Sequence, residues 1–372
     1  MPAVFFYISG HGFGHASRQI EVINALGAIA PAIEIVVRTS APTWLFDRTA
    51  RVPVTLVAGE CDTGVTQIDS LHLDERDTIR RAGAFHRTLP DRARNEAALL
   101  RSHDAAFVVA DAAPLGCAAA AAAGIRSAVV TNFTWDWIYE GYAGELGAAP
   151  DLLPAIRRAY RNAFAAWRLP MHGGFAAFDT IVDVPFIARH ASHARGDVRD
   201  RLGLPSDRPL VLSSFGGYGV GGLDVSTLDC LDDYGVVLTI RDESGRMANA
   251  PSGIVQLTEG ALYGSGLRYE DLVGACDIVA TKPGYGIIAE CIANETGVLY
   301  TSRGNFREYD VLVAEMPRAL KCAFIDHDAL FAGRWRSALD RIASAPAPPD
   351  RPATDGAPRL ARMIENAVHS RA

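Results

Sequence analysis

The chain has 372 residues, 49% of them hydrophobic and 21% charged, with a formal net charge of -7. That length exceeds what one core usually organises, so two domains of similar size are expected, and the acidic balance argues against a nucleic-acid partner, which needs a basic surface to displace counterions. The six cysteines are scattered without a C-x-x-C pair, which suggests neither a disulfide framework nor a zinc ribbon and fits reduced thiols in a cytoplasmic protein.

Val4 to Ile8 is an apolar run predicted as the first strand. It breaks into a loop with Gly10, His11, Gly12, Phe13, Gly14 and His15, after which Ile20, Ile23 and Leu26 recur at helical spacing. Such a strand, glycine loop and helix offers backbone N–H groups and a positive dipole end to a phosphate or carboxylate. The spacing is G-x-G-x-G and no Gly-Lys-Ser/Thr follows, so neither the dinucleotide fingerprint nor the P-loop is matched. His11 and His15 stand at what would be the carboxyl edge of a sheet, where open α/β sheets bind ligands. A zinc pair is disfavoured, because glycines interrupt any helix between the two histidines and no Cys is near. A tight turn whose histidines cap or pack is the competing reading.

Ile33 to Arg38 and Val52 to Val57 read as strands, Glu60 to Asp74 as a polar loop before a helical stretch to about Arg101, and Ala105 to Ala110 as a buried strand ending at Asp111. The alanine-rich helix Leu115 to Ala123 and the strand Ala128 to Thr131 lead to Asn132, Phe133, Trp135, Asp136, Trp137, Tyr139 and Tyr142. Aromatic residues with polar tips at a strand's carboxyl end can build a stacking platform for sugar rings or lipids, or can be helix-to-sheet core. A long helical region is predicted from Leu152 to Trp167, and a strand from Thr180 to Pro185 leaves the first domain.

A second strand, glycine loop and helix opens the C-terminal half: Leu210 to Ser213, then Gly216, Gly217, Gly219, Gly221 and Gly222, then a helix near Val225 to Leu231. Two such units, one in each half, predict an α/β protein of two Rossmann-like domains with parallel sheets. The glycines can equally be a hinge. Val236 to Ile240, Gly253 to Leu257 and Ile278 to Ala280 read as strands. Lys282, Pro283, Gly284 and Tyr285 then turn into a helix from Gly286 to Ala293, whose first N–H groups suit a phosphate and whose Glu290 suits a ribose diol. A strand to Tyr300 ends in a polar loop with Arg303, Asn305, Arg307 and Glu308. Ala343 to Pro358 reads as a linker. The expected domains are 1–185 and 186–358, with a final helix in 359–372 packing back on the first. No apolar run reaches the roughly 18 to 20 residues that span a bilayer, and the N-terminus lacks the basic region of a signal peptide. Peripheral membrane contact through a helix face is left open.

Gly10 to His15 (GHGFGH), Asp111 with Pro114, Thr131 to Tyr139 (TNFTWDWIY), Val182 to Pro185 (VDVP), Phe215 to Gly217 (FGG), Lys282, Gly284 to Gly286 (GYG) and Glu290 together span nearly the whole chain. On these motifs the sequence resembles the GT-B-type nucleotide-sugar glycosyltransferases, the MurG-like group and, more closely, the glycosyltransferase-like front half of plant L-arabinokinases. The kinase domain that follows in the plant proteins, with its glycine-serine phosphate loop, is not contained in this sequence. The resemblance implies the GT-B architecture, two Rossmann-like domains facing a cleft, with the nucleotide-sugar donor held mainly by the C-terminal domain. Gly216 and Gly217 would lie near the diphosphate, Lys282, Gly284, Tyr285 and Gly286 would surround a helix start that donates to it, Glu290 would bind the ribose, and Arg307 and Glu308 would touch the donor sugar. His15 matches the candidate base of the MurG-like group, with His11 and Asp111 as alternatives. The acceptor would lie between Gly12, Phe13 and Gly14 on one side and Asn132, Phe133, Trp135 and Asp136 on the other.

An inverting sugar transfer needs a base for the acceptor proton and positive charge for the departing diphosphate. His15 can supply the first, and glycine-loop amides with Lys282 or Arg307 the second, so no metal or cofactor is expected beyond a nucleotide sugar, UDP-linked, and a small-molecule or glycan acceptor. The Asp326 to Asp328 pair reads as surface. A non-catalytic nucleotide-sugar sensor and a nucleotide-sugar epimerase or hydrolase on the same fold are the competing expectations.

Overall fold

The computed structural model describes residues 2–69, 71–215, 223–240, 242–245, 247 and 249–370. The N-terminal half runs β1 (Ala3–Ile8), α1 (Gly14–Ile29), β2 (Glu34–Thr39), α2 (Thr43–Thr49), β3 (Thr55–Ala58), β4 (Thr66–Gln67), β5 (Leu73–Asp74), α3 (Glu75–Arg87), α4 (Leu89–Ser102), β6 (Ala105–Asp111), α5 (Pro114–Ala123), β7 (Ser127–Phe133), α6 (Trp135–Glu140), α7 (Leu152–Tyr160), β8 (Ala165–Gly173) and β9 (Ile181–Asp183). Its 7-stranded sheet has the order β3-β2-β1-β6-β7-β8-β9, and all its pairings are parallel. Strands β1, β6 and β7 are buried at every position, as unalternating apolar runs must be when helices cover both faces.

The second half runs α8 (Arg195–Leu202), β10 (Leu210–Ser213), β11 (Gly235–Ile240), β12 (Ile254–Thr258), α9 (Glu259–Gly264), α10 (Tyr269–Ala275), β13 (Ile278–Thr281), α11 (Tyr285–Ala293), β14 (Gly297–Tyr300), α12 (Glu308–Ala319), β15 (Cys322–Phe324), α13 (His327–Phe331) and α14 (Arg336–Ser344). Its 6-stranded parallel sheet is ordered β12-β11-β10-β13-β14-β15. In each sheet the order reverses beside the first strand, between β1 and β6 and between β10 and β13. A crevice opens at the carboxyl ends of the strands at such a reversal, and open α/β sheets bind ligands there. The last helix, α15 (Gly356–His369), returns to the first half: Leu360 and Ile364 are fully buried in one cluster with Ile20, Ile23 and Leu26 of α1, worth roughly 1.5–3 kcal/mol per side chain. No helix among the described residues is long and apolar enough to cross a membrane.

Three predicted elements differ. The helical region expected from Leu152 to Trp167 ends at Tyr160, and Ala165 begins β8, paired from Ala165 opposite Ala128; pairing with a buried strand overrides the helical preference of its alanines. The helix expected near Val225 to Leu231 is one 3-10 turn, Val225–Thr227, stopped by extended backbone at Leu228. The Glu60 to Asp74 loop contains the β4–β5 hairpin, with Thr66 opposite Asp74.

Candidate active site

The loop after β1 turns through Gly12, whose φ of +69° is a left-handed conformation that side chains disfavour. It delivers His15 into the first turn of α1, 8% exposed. Its Nδ1 lies 3.0 Å from Asp111 Oδ1 at the end of β6, so the two sides of the sheet reversal supply the two members of a dyad. With Nδ1–H donated to the carboxylate, the Nε2 lone pair is left to accept a proton, the arrangement by which an acid orients a histidine base. Burial pushes the Asp111 carboxyl up, but Arg18 and His15 beside it outweigh burial and hold it below its ordinary value. Arg18, one turn after His15, donates to Asp111 Oδ1 and to Asn132 Oδ1 at 2.5 Å, and Asn132 Nδ2 donates to the Pro170 carbonyl at 2.6 Å.

His11 differs from His15. Its ring stacks on Phe306 at 6.3 Å and meets Trp135 edge-on at 6.0 Å, and burial, followed by repulsion from His15, Arg303 and Lys282, lowers it to about 3. A group so reluctant to hold a proton is a weak general base. Behind it, Asp62 accepts from Ser9 Oγ at 2.8 Å and Trp135 Nε1 at 3.0 Å, and burial raises its carboxyl to about 6.

The second half faces this dyad with the start of α11. Its cap residue, Gly284, is extended and makes no side-chain bond, and its first turn holds no acid, so its leading N–H groups remain for an anion. Helix α1 likewise begins without a side-chain cap or an acid in its first turn. The two starts nearly touch, since a Cβ on Gly286 would stand 3.7 Å from Gly14 Cα. Tyr285 stacks across the cleft on Phe133 at 6.0 Å. Lys282 is brought down to about 8 by burial and the neighbouring Arg303. Arg303 itself is neutralised by Glu308 at 2.8 Å, whose carboxyl is raised by burial despite that partner. Glu290 Oε1 accepts from Arg189 Nε at 2.6 Å, and burial nevertheless raises its carboxyl above the ordinary value.

The cleft has two lobes that meet at Gly14, Arg18 and Gly286. One, of about 1080 Å³, holds Glu290, Arg189, Ser17, Trp44 and Tyr269. The other, of about 550 Å³, holds His11, His15, Lys282, Tyr285, Phe133 and Glu308. Gly12 lies in the smaller lobe, Phe13 and Gly14 in both, and Gly284 in the smaller. Gly216 and Gly217 lie outside the described residues.

Four predicted site residues are placed elsewhere. Asn132, 2% exposed, spends its amide on Arg18 and the Pro170 carbonyl and lines neither lobe. Trp135 is fully buried behind the loop and bonded to Asp62, and Asp136, 4% exposed, pairs with Arg157 at 3.0 Å, so neither lines the cleft. Arg307 bridges the halves instead of reaching into a lobe: it donates to the Trp137 carbonyl at 2.7 Å and to Glu140 at 2.8 Å and lies 4.8 Å over the Trp137 ring. Of the residues the sequence reading missed, Arg18 had a signal, its place three residues after His15 on one helix face. Asp62 stood among the acids of the polar Glu60 to Asp74 loop, which could meet a ligand or be solvated, and Arg189 had no signal, because its partner Glu290 is far along the chain.

Among solved structures, the kitacinnamycin glycosyltransferase superposes with a TM-score of 0.63 at 16% identity, covering 98% of this chain and 99% of that one. The calicheamicin glycosyltransferase CalG4 gives 0.63 at 13% identity, covering 99% and 98%. Both matches run over nearly the whole of each chain, so they take in both sheets of this one. The chain has the GT-B fold. A third GT-B structure, UGT2 of Phytolacca americana in complex with UDP-2fluoro-glucose and pterostilbene, has a TM-score of 0.59 at 12% identity over 98% of this chain and 94% of that one. In sequence, the GT-B chain is 31% identical over 349 residues to the L-arabinokinase of Arabidopsis thaliana, an alignment that takes in 91% of this chain and 32% of that protein. A probable chloroplastic monogalactosyldiacylglycerol synthase of Glycine max is 32% identical over 105 residues, 26% of this chain and 20% of that protein. The chain thus spans about a third of the first relative's length and less of the second's. No family model matches it.

Proposed function

We propose that this chain is an inverting glycosyltransferase that moves a sugar from a UDP-linked donor to an acceptor hydroxyl, with His15 as general base and no requirement for metal. The observation that carries the reading is the His15–Asp111 dyad standing across the cleft from the uncapped start of α11. In this reading the larger lobe takes the nucleoside, with Glu290 Oε2 accepting from the ribose, and the smaller lobe takes the sugar and acceptor. The diphosphate lies where the lobes meet, against the leading N–H groups of α11 and Lys282. The acceptor oxygen bonds to the anomeric carbon from the face opposite the diphosphate, its proton passes to His15 Nε2, and the departing electron pair stays on the diphosphate oxygen. Helix dipole and cationic side chains supply the charge stabilisation that a metal supplies elsewhere.

The bound UDP sugar in the Phytolacca americana structure supports the donor class, and the acceptor of this chain is a sugar, glycan or small-molecule alcohol. A second reading draws on the L-arabinokinase likeness: a nucleotide-sugar-binding module that keeps the cleft without turning over. Incubation with UDP sugars and a panel of acceptor alcohols, with and without EDTA, decides between them. Acceptor-dependent UDP release that EDTA leaves unchanged is the expected result, and tight UDP binding with no release against any acceptor points to the second.

A further inference from the structure

Arg18 sits where the two lobes meet and lines both, with its side chain only 8% exposed. Its Nη2 donates to Asp111 Oδ1 and also lies 3.3 Å from His15 Nδ1, so arginine and histidine compete for a single carboxylate oxygen. Meanwhile Asp111 Oδ2 is buried and accepts from nothing among the described residues, and Arg18 Nε is buried and donates to nothing. A guanidinium whose task was to neutralise Asp111 would grip both oxygens with its planar fork. This one leaves an oxygen and an N–H idle, which buried groups in a settled structure rarely do. Its position also sets it against the chemistry of the dyad, because a proton gained by His15 would put two positive groups side by side. Directly across the cleft is the uncapped start of α11, and Arg18 is the cation that the N-terminal half presents to the same place.

We propose that Arg18 is a donor-sensing catalytic residue: it is parked on Asp111 in the free protein and moves to the diphosphate when the nucleotide sugar binds, releasing Asp111 to His15. This rests on the glycosyltransferase reading above. With Arg18 parked, His15 shares its orienting carboxylate oxygen with the guanidinium. With Arg18 on the diphosphate, Asp111 accepts the Nδ1–H alone. The acceptor oxygen then bonds to the anomeric carbon while Nε2 takes its proton, the bond from that carbon to the β-phosphate oxygen breaks, and the electron pair stays on that oxygen beside Arg18. The imidazolium is answered by Asp111 and the new charge on the diphosphate by Arg18. Donor binding on one half thereby arms the base on the other, a coupling between two sites through one side chain.

The test follows the His15 Nδ1–H resonance by NMR in the full chain labelled with 15N-histidine, titrated with UDP and with uridine. UDP moves the resonance downfield, uridine, which lacks the diphosphate, does not, and Arg18→Gln shows the downfield position without ligand. By calorimetry, the preference for UDP over uridine falls about ten- to a hundredfold in Arg18→Gln, and Arg18→Lys recovers part of it. UDP that binds the unmodified chain while leaving the resonance in place overturns the proposal and leaves the glycosyltransferase reading standing. If neither UDP, GDP nor dTDP binds, both fall. Should Arg18→Gln not fold, the titration of the unmodified chain decides alone.

Discussion

Lys282 lines the lobe that holds His15 and makes no ion pair among the described residues, which leaves its charge for a ligand. Burial and Arg303 bring its amine from an ordinary 10.5 to about 8. A lysine depressed in this way disfavours its proton in the folded state, so the stability linked to its neutral form is present above the ordinary lysine range and is lost as pH falls through 8. A bound diphosphate favours the proton, and the sign for binding is the opposite: UDP affinity is full below pH 8 and declines above it, by up to about tenfold per pH unit. Calorimetry from pH 7.5 to 9.5 should show that decline with proton uptake on binding, and Lys282→Arg should abolish both. Arg189 holds Glu290 Oε1, and in the proposed donor site Oε2 would accept from a ribose, a charged bond of roughly 1.5–3 kcal/mol. Glu290→Ala should weaken UDP binding by about ten- to a hundredfold; an unchanged dissociation constant would remove Glu290 from the site. At this scale the sequence singled out His15 from its place at the end of a glycine loop, Asp111 from the end of a buried strand and Glu290 from the helix that follows Gly284. It could not show that Arg189 grips Glu290 from 101 residues away, since nothing local marks such a partner.

The elements around the cleft are held by contacts that cross between the halves. Gly173, late in β8, lies under the Trp137 ring so closely that a Cβ would stand 2.2 Å from Cζ2, and that ring carries Arg307 from the start of α12. A rigid indole cannot give way as a flexible chain would, so Gly173→Ala should cost roughly 1–3 kcal/mol and displace the seat of Arg307. Arg307→Ala, removing a partly exposed clasp, should cost within about 1 kcal/mol. Both variants should show a larger radius of gyration in small-angle scattering without UDP, and dimensions equal to those of the parent chain would mean that the clasp does not restrain the halves. Such clasps are invisible in sequence, which is why Arg307 read as a donor contact. The misread of β8 has a related cause: its first residues are alanines and become strand only because β7 lies beside them. Strands β1, β6 and β10 were legible because short apolar runs ending in glycine or acidic turns leave few alternatives.

For the whole molecule, a strand followed by a glycine-rich loop in each half was enough to anticipate two sheets, although the helix expected after the second loop is a single turn, and each sheet reverses its strand order beside that strand. The closeness of the two helix starts, with the His15–Asp111 pair on one side and the uncapped start of α11 on the other, is a property of how the halves meet and is not written in either half. The division of labour across this cleft is the central claim. It is tested most directly in His15→Ala, by measuring UDP affinity and the rate of sugar transfer on the same preparation. The expected result is a dissociation constant within a few-fold of the parent and a transfer rate lower by roughly a hundredfold or more. Transfer at the parent rate, or loss of UDP binding with the fold intact, would contradict it.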